Sequence, residues 1–262
     1  MPKLVLFDID GTLVLTGGAG IRAMNRAGES VLGLTNLLDG IPVAGRTDWI
    51  IMHDALKQVG HDLDEDLFER MRDAHHEFLR EEILLPGNGV KDVMPGIRQL
   101  LPLLESREDL ALGLLTGNFE EAARIKLGHF DLWDYFRCGA FGDDAADRNA
   151  LVPFAVDRAR ACGLGDFKYG DVFVIGDTPS DVACANAVGA VPVAVATGTY
   201  SLEALRRTGA PFVLEDLSDT DGFVKVLVRA GTDRQDRHED PTTDEPHQPA
   251  ATRATRPEPL PP

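Results

Sequence analysis

Leu4-Val5-Leu6-Phe7-Asp8-Ile9-Asp10-Gly11-Thr12-Leu13 is the stretch whose reading decides the fold. Four consecutive apolar residues read as a short strand buried on both faces, and the acidic, glycine-containing segment behind them ends it. On an extended chain, side chains two apart point the same way, so Asp8 and Asp10 address one small pocket. In a parallel α/β sheet ligands bind beyond the carboxyl ends of the strands, and Gly11 lets the chain turn there close to a bound group. In isolation the same residues also read as ordinary turn chemistry.

Working outward, further apolar runs bounded by Gly, Asp or Thr fall at 110–115, 172–175, 191–196 and 212–214. Helix-like segments at 97–105, 120–127, 151–162, 181–188 and 201–208 alternate with them. That alternation predicts an α/β protein with a doubly wound, mostly parallel, Rossmann-like sheet. The rhythm breaks between residues 17 and 87, where only amphipathic helical stretches occur, at 19–32, 48–59 and 64–84. In the last of these, Leu63, Leu67, Met71, His75, Phe78 and Leu79 fall near one face. We therefore expect an α/β core from residues 1–16 and 88–230 with an all-helical cap domain inserted at 17–87. Such a cap either closes over the sheet edge and excludes water or stands there as a fixed accessory. From 231 to 262 the chain turns rich in Pro, Asp, Glu, Thr and Arg, the composition of a disordered, acidic, Pro-rich tail.

Composition limits the function classes. With 262 residues, 44% of them hydrophobic, the chain can bury a sizeable core. Its formal charge of −17 argues against nucleic acid and anionic membranes as partners, both of which demand basic surfaces. A small anionic substrate is compatible with that charge, because a bound cation and a few local Arg or Lys residues set the potential inside a pocket. The first apolar stretch is cut by Asp8 after a few residues, which supports neither a secretory signal nor a membrane span. Cys138, Cys162 and Cys184, odd in number and widely spaced, fit free thiols in a reducing compartment. The expectation is a cytoplasmic protein; oligomeric state leaves no signal.

Three further motifs stand at the ends of later strands: Thr116-Gly117-Asn118, Gly176-Asp177-Thr178-Pro179-Ser180-Asp181, and Arg148 within Asp147-Arg148-Asn149-Ala150-Leu151 at the start of a helix. With Asp8 and Asp10 they resemble, in order and spacing, the four motifs of the haloacid dehalogenase-like hydrolase superfamily. The resemblance covers residues 1–14 and 91–229, and the position of the helical insert brings it nearest the phosphoglycolate phosphatase-like branch. It implies a Mg²⁺-dependent phosphohydrolase that cleaves a small phosphorylated metabolite. Asp8 is then the nucleophile that forms an aspartyl-phosphate, and Asp10 the group that protonates the leaving oxygen and later activates water. Mg²⁺ suits oxygen ligands from Asp8, the Asp10 carbonyl and Asp177, with Asp181 as a ligand or just behind the ligands.

The same resemblance gives Thr116 and the N–H groups of Gly117 and Asn118 to the phosphoryl oxygens, at the start of a helix that favours an anion. Thr116 also reads as a plain helix cap. Arg148 takes the place of the cation, usually Lys, that balances phosphoryl charge; Lys126, Arg124 and Lys168 compete with it, each also reading as a solvated surface charge. Arg46, in Gly45-Arg46-Thr47-Asp48, stands where a cap loop reaches the substrate, and the same four residues also read as a helix cap with an exposed Arg. His75-His76 lacks an acidic partner at metal spacing and reads as packing or solvent-facing. Trp49 and Trp133 read as core. A sugar phosphomutase using the same intermediate is the alternative activity. A non-catalytic binding module is disfavoured because neither acid is lost, and dehalogenation because that branch lacks the second Asp.

Overall fold

The computed structural model describes residues 2–62 and 64–235. In chain order the main elements are β1 (Lys3–Phe7), β2 (Val14–Thr16), α1 (Ala19–Leu32), α2 (Asp48–Gln58), α3 (Glu65–Glu82), β3 (Lys91–Val93), α4 (Ile97–Glu105), β4 (Leu110–Leu115) and α5 (Glu120–His129). They continue with β5 (Cys138–Ala140), α6 (Leu151–Ala161), β6 (Val172–Gly176), α7 (Pro179–Val188), β7 (Val191–Val195), α8 (Leu202–Arg206), β8 (Phe212–Leu214) and α9 (Thr220–Gln235).

The apolar run before Asp8 becomes the central strand β1, with Leu4, Val5, Leu6 and Phe7 all fully buried. Phe7 pairs in parallel register with Leu114 of β4 on one side and Ile175 of β6 on the other. Alternation along β1 divides the core in two. Val5 and Phe7 pack with Leu100 and Leu104 of α4, Leu127 of α5 and Phe223 of α9. Leu4 and Leu6 pack with Val152 and Ala155 of α6 and Cys184 of α7 on the opposite face. Each such large side chain contributes about 1.5–3 kcal/mol on burial, which fixes the register of the strand. The six-stranded sheet runs β5-β4-β1-β6-β7-β8. From β1 the chain winds first toward β5 and then back toward β8, so the order reverses beside β1 and a crevice opens beyond its carboxyl end.

Helices α1, α2 and α3 form a separate layer with its own apolar cluster. On α3 the buried residues Leu67, Met71, His75 and Leu79 recur every fourth position and make one stripe. Phe119 and Ala122 at the start of α5 belong to this cluster rather than to the sheet's, so the layer is docked on α5. A buried Glu82 closes it, held by Arg22 at 2.7 Å and Arg26 at 2.9 Å. The chain leaves the sheet and returns to it side by side, because β2 and β3 pair as an antiparallel ribbon with Val14 opposite Val93 and Thr16 opposite Lys91.

Several elements depart from expectation. The ribbon strands and β5 have three residues each, too short for a periodic signal, and Gly139 at the centre of β5 hides it further. Helix α9 carries Phe223 and Leu227 into the core and runs to Gln235, so residues 231–235 are helical rather than part of a tail. The remainder of the expected tail, 236–262, and Leu63 lie outside the described residues. Trp49 and Trp133 are only partly buried: the first stacks on His53 and the second lies under the Arg124 guanidinium. Among the described residues no helix is long and apolar enough to cross a membrane.

Candidate active site

Strand β1 ends at Phe7, the Asp8 N–H still donates to the Ile175 carbonyl at 2.9 Å, and the acids stand just beyond the strand. Ile9 between them is fully buried in the core, and its carbonyl accepts from the backbone N–H groups of Thr12, Leu13 and Val14 at 2.9–3.2 Å. The loop therefore winds tightly around Ile9 and displays Asp8 and Asp10 to the crevice. Gly11 has φ +84°, and a Cβ there would lie 2.6 Å from the Asp177 carboxylate. Glycine is required at this position both for the backbone angle and for the space Asp177 fills.

Asp177 and Asp181 come from the turn between β6 and α7. Thr178 caps α7, Pro179 opens it, and Asp181 completes a reciprocal capping box. Asp181 is thereby fully engaged: Oδ2 accepts from the Thr178 N–H at 2.9 Å and its hydroxyl at 2.7 Å, while Oδ1 accepts from Arg148 at 2.5 Å. The same Arg148 nitrogen stands 3.1 Å from Asp8. Oxygens of Asp8, Asp177 and Asp181 lie within 4.8 Å of one another, all buried.

This crowding shows in the acidities. Burial pushes Asp8 up to about 6; Arg148 pulls the other way, and Asp181 and Asp10 add to the rise. Burial and then the charges of Asp8 and Asp181 push Asp177 up to about 8, against a hydrogen bond from Thr12. One guanidinium cannot neutralise three carboxylates, and Asp177 is engaged by no cation among the described residues. An all-oxygen set with two net negative charges to spare fits a hard divalent cation.

Thr116 is fully buried at the end of β4, and its Oγ1 accepts from the Asn118 N–H and side-chain amide. The two N–H groups that follow are already taken by carboxylates. Phe119 N–H donates to Asp48 at 3.0 Å, and Glu120 N–H to Asp143 at 2.6 Å. Asp48 also donates its own N–H to the Gly117 carbonyl at 2.7 Å, a two-bond clasp between α2 and the loop before α5. Thr47 adds a third bond to the Ala146 carbonyl. Gly117 is small because the Arg46–Thr47 backbone lies directly over it.

One sequence reading changes here. Lys126 is not a surface charge: it is 6% exposed, and its ammonium donates to Asp10 and to Asn118, each at 2.6 Å. Its position on the buried stripe of α5, beside Ala122, Ala123 and Leu127, was the signal for this. Arg46 borders the crevice, but its guanidinium is paired with Asp54 and bonded to the Pro42 carbonyl within its own layer. Arg124 and Lys168 are exposed and stand apart from the crevice residues.

The crevice is a cavity of about 590 Å³ between the sheet edge and the helical layer. Asp8, Asp10, Thr116, Gly117, Asn118, Arg148 and Asp177 line it, and Asp181 stands behind them through Arg148. Lys126, given from sequence only as a rival to Arg148, and Asp48 and His75, given no role at the site, line it too.

The haloacid dehalogenase-like hydrolase family matches residues 5–186. A phosphoglycolate phosphatase of Rhodospirillum rubrum is 32% identical over 228 residues, covering 85% of this chain and 92% of the relative. Among solved structures, CbbY from Rhodobacter sphaeroides superposes with a TM-score of 0.64 at 19% identity, over 84% of this chain and 96% of the other. A predicted phosphoglycolate phosphatase from Haemophilus somnus gives 0.61 at 20% identity, over 86% and 97%. With its acids at the switch point of the sheet, the chain belongs to the haloacid dehalogenase-like hydrolases, on their phosphoglycolate phosphatase-like branch, and is a phosphatase of that family.

Proposed function

We propose that this phosphatase hydrolyses a small phosphate monoester through an aspartyl-phosphate on Asp8, with Mg²⁺ as its metal. The observation that carries the reading is the position of Asp8: buried at the end of the central strand, facing a cavity, and between a guanidinium and two further carboxylates.

A phosphate monoester repels nucleophiles and is among the slowest esters to hydrolyse, so positioning and charge neutralisation supply most of the rate. In the first step an Asp8 oxygen forms a bond to phosphorus as the ester oxygen leaves, and Asp10 gives that oxygen its proton. In the second, water attacks the phosphorus of the aspartyl-phosphate, Asp10 takes the proton from water, and Asp8 leaves as carboxylate. One carboxyl group serves both steps because the proton moves in opposite directions. Arg148 holds Asp8 in place and faces the phosphoryl charge, and the Thr116 hydroxyl has a proton to offer a phosphoryl oxygen. Asp8 and Asp177, with the Asp10 carbonyl, would hold Mg²⁺, which when bound neutralises the acids and the phosphate together. Asp181 orients Arg148 instead of ligating. The clasp of Asp48 and Thr47 on the core favours a layer that shields the cavity from water.

The small phosphorylated metabolite is the one partner this reading requires. Unpaired Cys138, Cys162 and Cys184 suit a reducing compartment, and we place the activity in the cytoplasm. The test is inorganic phosphate release from a panel of small esters that includes phosphoglycolate, with Mg²⁺ or with EDTA, for wild type and Asp8→Asn. Release that needs metal and Asp8 supports the reading; transfer to a sugar without free phosphate would make the protein a mutase.

A further inference from the structure

The core side of the cavity handles the phosphoryl group; the opposite wall, from the helical layer, decides which alcohol leaves. That wall is apolar. Ile21 and Met24 of α1, Leu38 and Val43 of the connection after it, and Ile51 of α2 all face the cavity. Apolar surface continues to the mouth, where Ile21 and Val90 border the opening while 45% and 67% exposed. Exposed apolar residues at the rim of a cavity mark a surface that gains by being covered.

Charge points the same way. Among the described residues that line the cavity there are three permanent cations, and each is already engaged by a carboxylate: Lys126 by Asp10, Arg148 by Asp8 and Asp181, and Arg46 by Asp54. The remaining basic group, His75, is kept uncharged by its burial in the α3 stripe, and its Nδ1 has no partner. Asp48 adds a further acid to the same lining. A leaving group with a carboxylate or a second phosphate would meet hydrocarbon and acids, and could gain a cation only by drawing Arg46 away from Asp54.

Resting on the phosphohydrolase reading above, we propose that the substrates are phosphate monoesters of uncharged, mainly apolar alcohols, with the leaving group seated against Ile21, Met24 and Ile51. Selectivity then follows from buried hydrocarbon, and kcat/KM rises roughly three- to tenfold for each methylene the wall covers.

The experiment compares kcat/KM of the Mg²⁺-loaded enzyme for n-pentyl phosphate, ethyl phosphate, glycerol 3-phosphate and 2-phosphoglycolate, with Asp8→Asn as the zero. These are all alkyl esters, so the wall and not a good leaving group sets the order. The proposal expects n-pentyl phosphate to exceed both ethyl phosphate and 2-phosphoglycolate by at least about tenfold. Ile21→Lys, at an exposed position that tolerates charge in the fold, is expected to cut the pentyl-to-phosphoglycolate ratio by about tenfold or more. Phosphate release with phosphoglycolate or glycerol phosphate preferred would overturn this assignment while leaving the phosphohydrolase intact. A ratio unchanged in Ile21→Lys would overturn it as well. No release from any ester above the Asp8→Asn level would overturn the phosphohydrolase reading, and the assignment with it.

Discussion

The ammonium of Lys126 stands 2.6 Å from Asp10 Oδ2, and the Asn118 amide donates to the same oxygen at 2.8 Å. A helix of the core thus reaches across to hold the carboxyl group, of the two in the loop after β1, that projects toward solvent. The Asp10 side chain is 43% exposed, against 7% for Lys126 and for Asp8. Lys126 itself fits because Gly20 of α1 lies above it, where even a Cβ would approach to 3.4 Å.

That pairing makes Lys126 a positioning residue for the proton transfers. Lys126→Met is expected to lower kcat by about 100-fold, the low end for losing an oriented acid–base group, with a much smaller change in KM. Lys126→Arg should restore part of kcat, since a cation returns to the same place. Steady-state kinetics on the two variants decides it; loss of kcat and KM in equal measure in both would mean a general disturbance of the fold.

Asp177 lies among like charges without a cation of its own among the described residues. Asp177→Asn is therefore expected to raise the thermal midpoint of the metal-free protein, by removing a desolvated charge. The same variant should lose the rise in midpoint that Mg²⁺ gives the wild type through linkage. Thermal unfolding with EDTA and with Mg²⁺ reads both effects, and a variant that still responds fully to Mg²⁺ would take Asp177 out of the metal site.

At Gly11, a methyl group would meet the Asp177 carboxylate and force a left-handed backbone on an L-residue. Gly11→Ala should cost about 1–3 kcal/mol of stability and a larger share of activity, because the strain is relieved by displacing Asp177. Circular dichroism melts and phosphate release, measured together, separate the two losses.

His75 carries a pH signature. Burial first, then the positive neighbours His76 and Lys126, pull its imidazole from 6.5 down to about 3. The unfolded chain binds a proton near 6.5 that the folded chain refuses, so stability must fall as pH drops below 6.5 and level off near 3. The slope from this one group reaches roughly 1.4 kcal/mol per pH unit. Denaturant titrations between pH 4 and 7 should show a shallower dependence in His75→Leu than in wild type; identical slopes would mean that His75 is protonated in the fold.

Much of the sheet was legible because its strands are buried on both faces and written as unbroken apolar runs, as at Val172 to Ile175. The ribbon of β2 and β3 was not, since three-residue strands obtain their stability from partners that sequence spacing does not reveal. Helix α9 stayed hidden for another reason: Phe223 and Leu227 are its fully buried anchors among the described residues, and the β-branched Val224, Val226 and Val228 around them read toward a strand. At the site, motif residues beside strand ends were readable, since strand ends are where a parallel sheet places its chemistry. Lys126 and Asp48 were obscure because each acts through a long-range partner, Asp10 across 116 positions and Phe119 across 71. Arg46 looked free in sequence only because its pairing with Asp54 depends on the turn of helix between them.

The most direct test of the central claim is chemical trapping of the covalent intermediate. The Mg²⁺-loaded enzyme is mixed with a hydrolysable phosphate monoester, quenched during turnover and reduced with borohydride, which converts an acyl phosphate to an alcohol, and its peptides are read by mass spectrometry. The account predicts homoserine at residue 8, dependent on both ester and metal and absent when either is withheld. Steady turnover with residue 8 unchanged, or the modification on a different acid, would contradict it.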